Sequence, residues 1–238
     1  MENPTYDLYK REIIIIIVDI GEHEPWYLIT HFPQLIKKYG NVFMDDYDII
    51  EEAIKYNGNC INFASERLQN NDKLLRKALL NTYNLCDIEC IDDNTPCLND
   101  WNFMIRILEN DFEMNFHYIP EKLLFDERFM YKLVDHFGGD ILEYIAFNVE
   151  ENPKLKEKYL LNKDFVIKCI KKTKIDYLDD TFSGIQEKLL LNDDFLREFN
   201  KINTVDINDI KWFSEYYNNP KILERFKEVQ INELKRNK

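Results

Sequence analysis

The chain has 238 residues, enough for one or two ordinary domains, and no Gly/Ser/Pro-rich linker divides it. Its 31 Lys plus Arg stand against 44 Asp plus Glu, a net charge of −13, so the average surface repels phosphate backbones and nucleic acid is not an expected ligand. No apolar run approaches the roughly 20 residues needed to span a bilayer, and five cysteines, an odd number, argue against a disulfide framework. A soluble, intracellular protein, cytoplasmic by default and without membrane contact, is expected. Six Gly and seven Pro suit a helix-dense chain, and 16 Phe with 14 Tyr can fill the gaps between stacked helices.

Residues 1–44 are expected to form an N-terminal helical cap. The longest apolar run, Ile13 to Val18, is bounded by Arg11-Glu12 and Asp19 and lacks the form of a cleaved signal peptide. Its β-branched residues also fit a strand, so an edge strand over 13–18 is the alternative to a helix. Gly21 follows Ile16 by five residues, an offset that marks helix ends further on, and Tyr27 to Tyr39 reads as a second helix interrupted by Pro33.

From 45 to 204 one pattern recurs six times. An Asp or Asn is followed at +3, +4, +7 and +8 by apolar residues, beginning at Asp46, Asn71, Asp100, Asp126, Asn162 and Asn192. The copies run Ile49, Ile50, Ala53, Ile54; Leu74, Leu75, Ala78, Leu79; Phe103, Met104, Ile107, Leu108; Phe129, Met130, Leu133, Val134; Phe165, Val166, Cys169, Ile170; and Phe195, Leu196, Phe199, Asn200. Of these 24 positions only Asn200 is polar. At 3.6 residues per turn they share one helix face, whereas a strand scatters them over two. The Asp or Asn is a helix N-cap, its oxygen accepting from an orphan amide of the first turn. Gly58 and Gly138, each five residues past the third apolar position, are expected to end helices in a left-handed conformation.

A shorter helix precedes most copies. Five residues before a cap stand Glu66, Glu121, Glu157 and Glu187, each followed by a base (Arg67, Lys122, Lys158, Lys188) and then by Leu or Tyr. Before Asp100 the pattern is replaced by Thr95-Pro96-Cys97-Leu98, after an irregular stretch Asp92 to Pro96. Spacings of 25, 29, 26, 36 and 30 between third apolar positions fit helix-turn-helix units with loops of variable length.

Asp46 to Leu79, with Glu-Ala-Ile-Lys-Tyr-Asn-Gly at 52–58 and Ala-Ser-Glu-Arg-Leu-Gln-Asn-Asn-Asp at 64–72, resembles the short tandem helical repeats catalogued as domain of unknown function 4116, and the likeness weakens along residues 45–200. The resemblance implies an array of paired helices found in microbial, protist and large-virus proteins, and it supplies no catalytic residue. The expected fold is therefore all-α: helix-turn-helix tandem repeats stacked as a short α-solenoid, with helical caps at both ends. In the second cap, 205–238, Asp209 with Trp212, Phe213, Tyr216 and Tyr217, and Asn219 with Ile222, Leu223 and Phe226, repeat the helix start, and fraying is expected beyond Ile231.

Candidate chemistry is sparse. Cys86, Cys90 and Cys97 with His117 match no zinc spacing, and Cys60 and Cys169 sit at apolar positions. Asp179 to Gly184 hints at a calcium loop but has Leu190 where a bidentate Glu is required. Gly138-Gly139-Asp140 lacks phosphate-loop spacing. His23 with Glu22, Glu24 and His31 reads as a polar turn before Pro25, and His136 as a surface residue at a helix end. Lys168, Lys171, Lys172 and Lys174 form the one basic cluster visible in the sequence, and it reads as a solvated helix face near a C-terminus. The recurring Glu residues serve the repeat, pairing weakly with nearby bases. No catalytic, cofactor-binding or metal residue is therefore assigned and no cofactor is expected. The expected function is a non-enzymatic protein-interaction module or scaffold whose partner carries a basic or amphipathic segment. The alternative is a small metal-dependent enzyme or hydrolase using the N-terminal region and residues 86–117.

Overall fold

In a computed structural model, the structure describes residues 4–82, 84–92, 94–147, 153–173, 185–202 and 207–236. Among them every regular element is helical and none is a strand. The chain divides into two compact units, Met1–Glu121 and Lys122–Lys238.

The first unit opens with α1 (Pro4–His23), a 3₁₀ turn Pro25–Tyr27 and α2 (Leu28–Tyr39), which runs through Pro33. The Ile run is thus helix and not an edge strand. Ile13 and Ile17, four apart, are buried, while Ile15 between them is 67% exposed, as a helical period requires. Gly21 does not end this helix. A Cβ there would stand 2.3 Å from the Tyr56 ring, so glycine lets α1 approach α3 (Tyr47–Tyr56) closely. Then follow α4 (Glu66–Gln69), α5 (Asp72–Leu80), α6 (Trp101–Asn110) and α7 (Phe112–Phe116), with 3₁₀ segments between several of them. The short helix α8 (Glu121–Leu124) lies at the division.

The second unit contains α9 (Glu127–Phe137), α10 (Asp140–Phe147), α11 (Pro153–Leu155) continuing as a π-turn Lys156–Leu160, and α12 (Lys163–Lys172). Next come α13 (Glu187–Leu190), α14 (Asp193–Phe199), α15 (Ile207–Tyr216) and α16 (Lys221–Arg236).

All six expected caps precede a helix and accept from its first-turn amides. Asp46 bonds the amides of Asp48 and Ile49, Asn71 that of Leu74, and Asp100 those of Asn102 and Phe103. Asp126 bonds the amide of Arg128, Asn162 those of Asp164 and Phe165, and Asn192 that of Phe195. Their backbones agree as closely as their chemistry, for example φ −88°, ψ 114° at Asp46 and φ −85°, ψ 106° at Asn162. The four apolar positions behind each cap are buried in every copy except at Asn200, the polar one, which stays half-buried and accepts a hydrogen bond from Gln230 at 2.9 Å.

The short preceding helices occupy the expected slots, and the 3₁₀ turn Pro96–Asn99 takes that slot before Asp100. In two of the four copies the base makes a contact back to the previous copy. Arg67 donates to the backbone oxygen of Asp45 at 2.9 Å, and Lys158 to that of Phe125, the residues just before caps Asp46 and Asp126. Glu66, Glu121 and Glu187 are instead the first residues of their helices, where a carboxylate complements the dipole.

Three further expectations are corrected. Gly58 has no positive φ. It begins the 3₁₀ segment Gly58–Phe63, and a Cβ on it would lie 2.0 Å from the backbone oxygen of Ala78, so close packing on α5 demands glycine. Helix α15 starts at Ile207, which puts Asp209 inside it instead of before it. Among its described side chains Ile210 and Phe213 are buried, while Trp212 and Tyr216 are exposed and stack at 4.9 Å. Asn219 does cap α16, but that helix continues to Arg236, beyond the expected fraying at Ile231.

Candidate interaction surface at the helix C-terminal ends

A helix leaves its last carbonyls without internal partners. In the first unit α3, α5 and α6 pack in succession, and their C-terminal ends line one cavity of about 430 Å³. Lys55 and Tyr56 come from α3, Leu80, Asn81 and Thr82 from the end of α5, and Asn110 and Asp111 from the end of α6. The next helix satisfies the orphan carbonyls of the one before: Asn81 Nδ2 donates to Ile54 O at 3.1 Å, and Asn110 Nδ2 to Leu80 O at 3.2 Å. The amide of Gly58 donates to Asn81 O at 2.9 Å. Thr82 Oγ is bound to Asn59 Oδ1 at 2.5 Å.

Each helix end carries roughly half a negative charge, and Asp111 adds a carboxylate whose Oδ1 accepts from Met114 N at 3.0 Å. Lys55, the cavity's base, is held by Glu52 at 2.5 Å, which raises its pKa. Carbonyl dipoles, amide side chains and a carboxylate favour donors and cations.

The second unit has its counterpart. The ends of α9 and α12 and the start of α10 line a cavity of about 320 Å³, with Asp135, His136, Gly138, Asp140 and Lys172 among its walls. Gly138 has the positive φ expected of it, 75°, and a Cβ there would stand 3.0 Å from Lys172 O, so glycine again permits a tight crossing. Asp135 binds Lys168 at 2.8 Å and Lys172 at 3.5 Å, and the Lys168 hydrogen bond leads in holding its carboxyl below the usual range. Two members of the sequence's basic cluster therefore share one carboxylate. Lys171 is exposed, and Lys174 lies outside the described residues, as does the stretch Asp179 to Gly184.

The remaining candidates disperse. Cys86 is exposed, Cys90 half-buried and Cys97 buried, with burial pushing the Cys97 thiol up to about 11. Cys60 is pushed by burial to about 12, and burial also raises Cys169. His117 caps the end of α7. Among the described residues no three His, Cys, Asp or Glu side chains gather as a metal site. His23 and His31 do line one surface cavity with Asp19, Glu24 and Tyr27. Each ring Nδ1 sits on a carbonyl four residues back, Asp19 O at 2.9 Å and Tyr27 O at 3.0 Å, so both serve helix turns.

Sequence reasoning missed the end-of-helix cavities. The signal was present ten residues after four of the six caps, where Asn81, Asn110, His136 and Lys172 are polar at the close of an apolar helix face. Among the described residues, no helix is long and apolar enough to cross a membrane. No curated protein and no solved structure matches the chain. Residues 46–94 match the family model Domain of unknown function (DUF4116), covering the first two capped helices and the turns after them, so the chain carries a domain of that family.

Proposed function

We propose that the chain is a non-enzymatic protein-interaction module in which helix pairs stack as a short α-solenoid and the C-terminal helix ends take a basic or amphipathic segment of a partner protein. The observation that carries this reading is the recurrence of the same cavity, at the same offset from the caps, in both units. The apolar face of each repeated helix is used up by packing, while the helix ends present polar groups at a concave surface. An extended partner donating Lys or Arg side chains would meet helix-end dipoles and the carboxylates of Asp111 and Asp140. The acid excess of the chain supports the same sign of partner. Free thiols, three of them buried, support a reducing compartment such as the cytoplasm.

Selection from a random displayed peptide library tests the reading. Enriched peptides should carry Lys or Arg, lose affinity as salt rises, and bind more weakly to Asp111→Asn and Asp140→Asn variants. Enrichment of acidic peptides, or of none, contradicts it, as does stoichiometric metal with hydrolytic activity in protein purified without an affinity tag.

A further inference from the structure

The cleft between α5 and α6 has the opposite charge to the chain as a whole. Lys73, Arg76 and Lys77 of α5 face Phe103 and Arg106 of α6 across about 350 Å³, with Asp100 at the edge. Offsets of three and four put the α5 bases on one helix face, and Arg106 arrives from the following repeat, so the cluster is invisible in any short window of sequence.

Its members are differently committed. The Arg76 guanidinium is fixed by Asp72 at 2.8 Å and Asp100 at 3.0 Å and lies 4.6 Å over the Phe103 ring. Lys77 pairs with Glu51. Lys73 sits 5.8 Å over the Tyr47 ring and has no carboxylate at ion-pair distance among the described residues. Arg106 is exposed and has no ion-pair or hydrogen-bond partner among them. Lys73 and Arg106 thus stand without an ion-pair partner at one concave site, beside Arg76, whose plane is already set, and the four bases outnumber Asp72, Asp100 and Glu51 by one charge.

We propose that this cleft binds a phosphoryl dianion, a phosphate monoester carried by a small molecule or by a phosphorylated side chain. Such a group bears about −1.5 to −2 charges at neutral pH and three strong acceptor oxygens, so it can meet Lys73 and Arg106 at once and still offer an acceptor to the Arg76 side of the cleft, where a carboxylate has only two oxygens. A guanidinium fork and an ammonium point charge together suit its tetrahedral oxygens. A nucleic acid is disfavoured. Its charges extend beyond the screening length of about 8 Å onto a surface whose average is acidic, whereas a single dianion meets only the local field. The site adjoins the first helix-end cavity at Leu80, but its charged groups are not part of that cavity, so the proposal stands or falls without it.

The test is calorimetric titration of the full chain at low ionic strength with inorganic phosphate, a phosphoserine peptide, its unphosphorylated form and a single-stranded oligonucleotide. Expected is saturable binding of the phosphate-bearing probes, weakened about tenfold by Lys73→Gln or Arg106→Gln and unchanged by Lys211→Gln on α15, with the same circular dichroism in all variants. Tighter binding of the phosphopeptide than of inorganic phosphate assigns the side-chain source, and equal binding assigns a small molecule. Absence of saturable binding, binding left at the natural chain's affinity by both Lys73→Gln and Arg106→Gln, or preference for the oligonucleotide at equal phosphate concentration overturns the proposal.

Discussion

One side-chain oxygen stands at the start of each of the six repeated helices, and its replacement isolates that oxygen's worth. Asn162 receives the amides of Asp164 and Phe165 at 3.1 and 3.2 Å. Asn162→Ala should therefore lower stability by about 1 kcal/mol while Asn162→Asp changes it little, as read by urea denaturation; equal losses from both would remove the cap's role. Asp46 is the most embedded of the six, 8% exposed, bound by Tyr6 at 2.5 Å and Lys10 at 3.0 Å as well as by its helix. Burial pushes its carboxyl up, but the hydrogen bonds from Tyr6, Lys10 and the Ile49 amide outweigh burial and bring it below the ordinary value. The folded chain then binds fewer protons there than the unfolded one. That stabilisation is present above the unfolded value of about 3.9 and is lost as pH falls through the lower, folded one. Melting temperatures between neutral pH and pH 3 should fall more steeply for the natural chain than for Asp46→Asn, and parallel profiles would contradict the assignment.

At the scale of the element, a cap and the apolar positions behind it specify each of the six repeated helices, so both are read from about nine consecutive residues. Leu133→Ala in α9 should cost about 2 to 5 kcal/mol, and the neighbouring exposed Lys132→Ala less than about 0.5 kcal/mol; denaturation midpoints in the reverse order would mean the wrong face. What was not legible depends on contacts between elements. Gly21 and Gly58 look like helix stops, yet Gly21 clears Tyr56 and Gly58 clears Ala78, residues 35 and 20 positions later. Gly58→Ala should accordingly destabilise by about 1 to 3 kcal/mol, and a neutral or stabilising effect in thermal denaturation would return Gly58 to an ordinary turn. The register of α15 failed for a related reason: Trp212 and Tyr216 are apolar enough to mimic a core face, but Phe213 packs against Phe199 of α14 and the two larger rings stack outside. Arg106 joins the α5 bases only through the pairing of consecutive helices.

Across the molecule, repetition leaves two kinds of surface within the units: helix ends with acceptors and carboxylates, and the basic cleft of α5 and α6. The first recurs in both units and carries the proposed partner recognition. The direct measurement is hydrogen exchange of the full chain with and without a saturating Lys/Arg-rich peptide selected for binding. Slower exchange is predicted at 55–59, 80–82 and 110–112 in the first unit and at 135–140 and 172–173 in the second, with little change along α1 or in the α5–α6 cleft. Protection confined to α1, to Lys73–Arg106, or to neither set of helix ends would contradict the claim that this surface recognises the partner.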